Sequence, residues 1–454
     1  MRAVMRHDVM LNLQLVIGVL VWWACGAAAL PAAGWDAGVA KAVITPQEPI
    51  WLAGFAFRNK PSEGVRQDIY VRALALRDDA GKTSVLVTLD LASLDRRMAD
   101  QVAEECRKRY GIERDRLLLN ISHTHSGPVA GLKPLPIYGL TGAHRDVMQR
   151  YTVELMRKTV DVVGVAIDGL APAALWFEQG LAGIAVNRRR VANRWLPGPV
   201  DQDVPVLAVR APDGKLRALV VGYACHATAL SDYLISNDWP GYAIEAIERA
   251  NAGATALFVQ GAGADANALP RSSDELARMR GLILAAAVEQ VLQSKMRPLS
   301  GPLRAAFEHV DVPFRDPLTR EELQKKLHDR VPAVRNAAQY MLGVLDRDGN
   351  FADRYPYPIQ VWRFGGDLKL IALGGEVVAD YALRLKGQHG FENTWVAGYS
   401  NDIMAYIPSR RVLLEGGYEG GDALICFGLP GRFGSAVEEI IVEKAGELVK
   451  RTAQ

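Results

Sequence analysis

RLLLNISHTHSGP, residues 116–128, sets two histidines one residue apart at the end of an apolar run and follows them with Ser-Gly-Pro. The run reads as a strand. Side chains two apart in a strand point to one face, so His123 and His125 are expected to project together from a sheet edge. Working outward, residues 96–110 carry apolar positions at helical spacing with Gly111 as the stop, and a long helix is expected near 144–165 beyond a Pro/Gly-rich segment. Upstream, IYVRALALRDDAGKTSVLVTLDLASL reads as two strands joined at DDAGK. Downstream, ALWFEQG, VPVLAVRA, LRALVVGYACH and ATALFVQGAG are further strands. Ser272 and Glu275 have the spacing of a capping box before the stripe LARMRGLILAAAVEQVL. A charged helical insert covers about 317–345, the hairpin IQVWRFGGDLKLIALGGE delivers Glu376, and AVEEIIVEKAGELVK closes the chain as an amphipathic helix. This rhythm predicts a mixed α/β (α+β) fold: one large domain over 35–454, with central mixed β-sheets flanked by helices and chemistry placed after strand ends.

Composition narrows the partners. Of the 454 residues, 49% are apolar and 23% charged, which supports a sizeable core; the net charge of +2 comes with no basic run, which excludes a phosphate-tracking nucleic-acid binder. Arg2 and Arg6 precede the apolar LNLQLVIGVLVWWACGAAAL and the small residues of PAAG. That layout predicts a secretory signal over 1–34, cleaved near 29–34, and hence a periplasmic or secreted protein; an uncleaved N-terminal anchor is the other reading, since about 20 apolar residues span a bilayer. Cys106, Cys225 and Cys426 would remain, too sparse for a disulfide framework. Asp346, Asp348, Asn350 and Asp353 are calcium-like in type, but the glycine falls too early for an EF-hand loop, and a surface turn is the better reading.

Four places put a metal-competent group in or just past an apolar stretch: His123/His125, His226 in VVGYACHATAL, Glu376 in LIALGGEVV and Tyr406 in SNDIMAYIPSRR. Imidazole and carboxylate are ordinary ligands of catalytic zinc, which takes about three protein ligands and keeps a position open. Each also has a plainer reading. The histidines fit a hydrogen-bonded core pair, His226 a structural histidine, Glu376 a cap on the helix VVADYALRLK, and Tyr406 a packed aromatic. Cys225 beside His226 fits a thiol nucleophile or a small buried residue.

The segments LLLNISHTHSGP, GYACHATAL with NDWPGYA, FVQGAGADANALP, LGGEVVADYALRLK and GYSNDIMAYIPSRRVLLEGGYEG occur in one order over most of the chain, together with VITPQEPIWLAGFAFR and AVNRRR. Taken together they resemble the neutral/alkaline (non-lysosomal) ceramidase family. The resemblance implies a zinc-dependent amidase that splits the N-acyl bond of ceramide into fatty acid and sphingosine, with one Zn²⁺ per chain. It implies His123, His226, Glu376 and Tyr406 as metal ligands, His125 beside the scissile amide and Arg188 on the carbonyl oxygen. Asp238 and Asp265 are expected to fix the histidine tautomers from behind, or to cap loops.

Two departures from the family pattern accompany it. ADANA at 264–268 puts Asn267 where the family has an active-site serine, and the resemblance covers the catalytic domain without a C-terminal immunoglobulin-like domain. A bound zinc lowers the pKa of water toward about 7 and polarises a carbonyl, so the chemistry needs no side-chain nucleophile. The apolar loops GLKPLPIYGL and FGLPGRFGS are candidate walls of an acyl groove. A lipid or small-molecule substrate and contact with a membrane surface are expected. The alternatives are another amide, an ester or a cell-surface glycan bond on the same metal site, or a metal-binding protein without catalysis.

Overall fold

Strand Leu117–Ile121 forms one end of a nine-stranded mixed sheet in the computed structural model, which describes residues 34–133 and 135–454. The expected signal segment falls, apart from Gly34, outside the described residues. From the far end the sheet runs Thr255–Gln260, Leu216–Tyr223, Asp203–Arg210, Ala171–Leu181, Trp35–Val43, Tyr70–Arg77, Thr83–Leu89 and Leu117–Ile121, with Arg297–Leu299 pairing beside Ala171–Leu181. The two outermost pairs are parallel and most of the interior is antiparallel. A second sheet takes the order Thr394–Ala397, Leu368–Leu373, Arg354–Phe364, Leu303–Arg315 and Arg432–Phe433.

Packing explains why the strand runs are continuously apolar rather than alternating. Leu117 and Leu119 face a core with helices Arg96–Tyr110 and Gly142–Asp168, through Met98, Val102, Leu155 and Val163. Leu118 points the other way, into a core shared with Leu257, Val259, Trp362, Leu370 and Trp395 of the opposite sheet end and the second sheet. Both faces are therefore dry, as for strands covered on each side. A third core sits under helices Asp238–Ala250 and Asp274–Gln293, around Trp239, Phe258 and Leu284.

The two end strands are tied together by Asn120, which is fully buried. Its Oδ1 accepts from Gln260 N at 2.8 Å, and its Nδ2 donates to Gly398 O at 2.8 Å and to Ser400 Oγ at 3.1 Å. Isolated bridges at Gly261–Ala397 and Asn120–Ser400 continue the seam. The C-terminal ends of four strands, two from each sheet, thus meet in one place.

Several local expectations need correction. The histidine-bearing strand ends at Ile121 and the backbone turns left-handed at His123, φ +57°. Ser122 N makes the last ladder bond, to Leu89 O; beyond it Thr124 Oγ1 donates to Ser236 O and His125 N donates to Ala227 O, so the segment is captured by neighbouring loops. His123 and His125 converge through a kink, not through strand alternation. Helix Asp274–Gln293 is capped by Ser273, accepting from Leu276 N at 3.2 Å, one residue later than expected, because Ser272 is itself left-handed at φ +86°. Glu376 caps no helix. Asp265 Oδ1 takes that role, accepting from Ala379 N at 3.0 Å at the start of Ala379–His389. Asp346 is paired to Arg320 and Asp353 to Arg354.

Replacing Asn120 by Ala is expected to leave the Gln260 N–H buried without a partner and to lower the unfolding free energy by about 1–3 kcal/mol for that group alone. Urea denaturation measures it, and a loss under about 0.5 kcal/mol would show that the seam is held elsewhere.

Candidate functional site

Three strand ends and one short ladder deliver groups to a common point. His123 follows Leu117–Ile121, His226 follows Leu216–Tyr223, Glu376 follows Leu368–Leu373, and Tyr406 pairs with Glu376 in a short parallel ladder. His123, His125, His226, Glu376 and Tyr406 are all buried. Glu376 Oε2 lies 3.1 Å from His123 Nε2 and 3.2 Å from His226 Nε2. His125 Nε2 is 3.1 Å from His123 Nε2, and Tyr406 OH is 3.4 Å from His226 Nε2.

The far sides of the rings fix their protons. His123 Nδ1 is 2.7 Å from Ala92 O, and His226 Nδ1 is 2.9 Å from Gly263 O. A carbonyl only accepts, so each Nδ1 carries hydrogen and each neutral ring presents a bare Nε2 lone pair inward. Glu376 Oε2 faces both lone pairs and makes no aligned hydrogen bond. A point where two lone pairs and a carboxylate oxygen meet calls for positive charge at its centre, and misaligned contacts favour an ion over a shared proton. The residues present fit a divalent metal, with the three His ring nitrogens within 4.8 Å of one another as a further donor group.

Electrostatics agree with that fit. Burial, reinforced by Arg188, lowers the His226 pKa to about 4, so the ring stays neutral and able to ligate well into the acid range. Burial next to His123 and His226 holds His125 well below the usual histidine range. Burial works against an ionised Glu376, and positive charge at the two facing Nε2 positions, on the rings or on a cation between them, is what holds its pKa well below the ordinary carboxylate value.

A cleft of about 460 Å³ opens onto this centre, with His125, Tyr406, Arg188, Asn267 and Thr228 in its wall. Arg188 lies over the Tyr406 ring at 5.4 Å, its Nε donates to Glu419 Oε1 at 2.6 Å, and its Nη2 is buried without a partner. Asn267 Oδ1 accepts from Thr228 Oγ1 at 3.4 Å. The structure therefore brings together the four expected ligands, His125, Arg188 and Asn267.

Two expected carboxylates stand apart from the histidines. Asp238 binds the backbone N–H groups of Ala229, Leu230 and Trp239, and Asp265 binds Ala379 N and Asn187 Nδ2. Backbone carbonyls fix the tautomers instead, and the two acids brace the loops that carry His226 and Arg188. The loops at 131–140 and 427–435 do meet, but Leu135, Pro136, Phe427 and Leu429 line a separate cavity with Arg96 and Asp402, not the cleft. Cys225 is fully buried, burial pushes its thiol far up, and it does not reach the cleft, which ends the thiol reading.

Sequence reasoning missed the support around His125 and Arg188. Glu419 is buried and binds both Arg188 and Arg189; burial opposes its charge, but Arg188 and Arg189 hold it below the ordinary carboxylate range. Arg58 clamps the carbonyls of Ala53 and His125, and Tyr399 lies 4.5 Å from the His123 ring. Gly54, at φ +92°, leaves room for His125: a Cβ there would stand 2.3 Å from its Cγ. WLAGFAFR and LEGGYEG contain Gly54, Arg58 and Glu419, but neither segment has a histidine or a strand-end carboxylate to single it out, and these residues act only through neighbours far away in sequence.

The fold and its centre define an α/β protein with a buried His/Glu/Tyr donor set beneath a cleft. Residues 35–269 match the profile of the neutral/alkaline non-lysosomal ceramidase family, N-terminal, and the chain belongs to that family. It is 25% identical over 206 residues to neutral ceramidase A of Dictyostelium discoideum, covering 42% of this chain and 28% of that protein. It is 24% identical over 243 residues to the neutral ceramidase of Drosophila pseudoobscura pseudoobscura, covering 49% and 33%. The match thus spans a third or less of the length of these relatives. In fold it is similar to the crystal structure of neutral ceramidase from Pseudomonas aeruginosa, with a TM-score of 0.72, 20% identity, and 93% of this chain and 74% of that one covered. A ceramidase complexed with C2 gives a TM-score of 0.73 at 19% identity, over 92% and 76%.

Gly54→Ala is expected to destabilise the protein by about 1–3 kcal/mol, from a left-handed backbone and the collision with His125. Gly343→Ala, inside helix Pro332–Asp348 with nothing within 4 Å, is expected to be neutral or stabilising by up to about 1 kcal/mol. Thermal unfolding of the two variants checks the contrast; equal effects would remove the steric role assigned to Gly54.

Proposed function

We propose that this protein is an exported, zinc-dependent amidohydrolase that cleaves the N-acyl bond of ceramide or of a closely related N-acyl amide. The observation that carries the reading is the bare donor set of His123, His226 and Glu376, with Tyr406 beside it, at the floor of a cleft whose wall holds proton-transfer and oxyanion groups. Family membership and the ceramidase names of its relatives supply the substrate class. The export part rests on the charge and hydropathy layout of residues 1–34.

His123, His226 and Glu376 would hold the ion, with Tyr406 as a fourth ligand. When bound, the ion supplies a Lewis acid and makes water acidic enough to react near neutral pH. The chain's own groups do the rest. His125, kept neutral by burial, accepts a proton from the attacking water and returns it to the departing amine nitrogen. The guanidinium of Arg188 and the amide of Asn267 line the cleft as donors for the oxygen that gains charge as the carbonyl becomes tetrahedral. An amide side chain cannot form an acyl intermediate, so hydrolysis proceeds without an acyl-enzyme. The replacement of serine by Asn267 also favours a second reading, in which the same centre acts on a different amide or ester.

The test is hydrolysis of a fluorescent N-acylsphingosine by zinc-loaded protein, beside a panel of other N-acyl amides and esters. Turnover is expected to stop on chelation and return with zinc. His226→Ala and Glu376→Gln are expected to lower kcat/KM by more than about a hundredfold, beyond the usual 10–100-fold loss when an outer partner of a metal ligand is removed. Turnover that survives chelation would sink the metal mechanism. Turnover of another panel member but not the sphingolipid would keep the mechanism and replace the substrate.

A further inference from the structure

The two apolar loops expected to wall an acyl groove meet away from the cleft, and a cavity of about 200 Å³ lies between them. Leu135 and Pro136 come from the first loop, Phe427 and Leu429 from the second, and Met404 adds a further apolar side chain. Met404, Phe427 and Leu429 belong to the core under the second sheet, and Leu135 packs against that core, so the apolar wall is held by packing. The volume falls below the roughly 300–1,000 Å³ of sites for drug-sized ligands, so the occupant that fits is small.

The charged groups of the cavity divide into engaged acids and free cations. Asp95 accepts from Met98 N at the start of helix Arg96–Tyr110 and from Leu132 N and Lys133 N of the first loop. Asp402 is buried, accepts from Tyr355 OH at 2.7 Å and lies 3.3 Å from Arg96 Nε. Arg96 in turn donates to Pro356 O and lies over the Tyr355 ring at 4.7 Å. Arg97 and Lys133 also line the cavity; both are exposed, and neither is in an ion pair with a carboxylate among the described residues. Lys133 Nζ lies 5.9 Å over the Tyr340 ring. Three cations against two acids leave one positive charge, carried by side chains without a partner, beside an apolar wall. That composition suits a singly charged anion with an apolar tail.

We infer that this cavity is a second binding site, for a short-chain monocarboxylate, with the acyl tail among Leu135, Phe427 and Leu429 and the carboxylate on Arg97 and Lys133. Met404 belongs to the loop that delivers Tyr406, and the Phe427 ring stands edge-on to the Tyr406 ring at 5.9 Å, so the cavity and the proposed metal centre share a wall. A carboxylate bound here therefore acts on Tyr406 from outside the cleft. This regulatory consequence rests on the function proposed above; the binding does not.

Isothermal titration of the protein with butanoate, hexanoate and octanoate, and with hexanamide as the uncharged counterpart, tests the binding. Each added methylene that stays buried is expected to tighten binding about fourfold until the cavity is full, and hexanoate is expected to bind about tenfold more tightly than hexanamide. Arg97→Glu with Lys133→Glu, a change at exposed positions, is expected to remove the preference for hexanoate, and Leu135→Trp to fill the cavity and abolish binding of both. Arg271→Glu, an exposed arginine of the cleft wall, is expected to change neither. No binding of any of the carboxylates, equal binding of hexanoate and hexanamide, or a loss on Arg271→Glu as large as that of the double variant would overturn the proposal. In the hydrolysis assay, octanoate is expected to lower kcat at constant KM in the parent and to have no effect on Leu135→Trp. A rise in KM alone that survives Leu135→Trp would place the carboxylate in the cleft and overturn the regulatory role. The titration needs no turnover, so a failure of the hydrolysis reading shows separately from a failure of this one.

Discussion

A buried amide at Asn120 holds the two ends of a long sheet against each other and against a second sheet, and the site exists because of that closure. Its carbonyl oxygen receives Gln260 N–H from the opposite end strand, and its NH₂ reaches Gly398 and Ser400 beyond the second sheet. Neither strand end carries a complete site. His123 and His226 come from one sheet, Glu376 and the loop to Tyr406 from the other, and only a closed seam puts their polar atoms within about 3 Å. An open sheet would leave each group on its own edge, solvated and without chemistry.

Once closed, the centre is set by its surroundings. Ala92 and Gly263 carbonyls fix which ring nitrogen carries hydrogen, so two lone pairs face a carboxylate oxygen that makes no aligned hydrogen bond. Two lone pairs against a carboxylate are unfavourable without positive charge between them, which is the physical case for a cation at this point. Around it, Glu419 steers two arginines, Arg58 grips the backbone at His125, and Gly54 provides the room for its ring.

Much of this was legible in the residues. The strands, the stop at Gly111 and the hairpin that presents Glu376 follow from local rules of periodicity and turn chemistry, and the structure has them. The chemistry-bearing residue types were legible as types at strand ends. Their convergence was not, because it depends on contacts more than a hundred residues apart, such as Asn120 with Gln260 and Gly398. Local reasoning also misread the kink at His123, since the captured loop overrides strand geometry there. Of the two roles it offered Asp238 and Asp265, behind the histidines or as loop caps, the structure has the second: backbone carbonyls fix the tautomers and the carboxylates bind N–H groups. Glu419, Arg58 and Gly54 act only through a three-dimensional neighbour and carry no local signature.

The proposed chemistry requires one ion held among His123 Nε2, His226 Nε2 and Glu376 Oε2. Anomalous diffraction from crystals of the zinc-loaded protein, collected on both sides of the zinc absorption edge, addresses it directly. One strong difference peak per chain, at roughly 2.0–2.2 Å from those three atoms, is the predicted result. A peak elsewhere, or no peak with the two Nε2 atoms and the carboxylate joined by aligned hydrogen bonds, would contradict it.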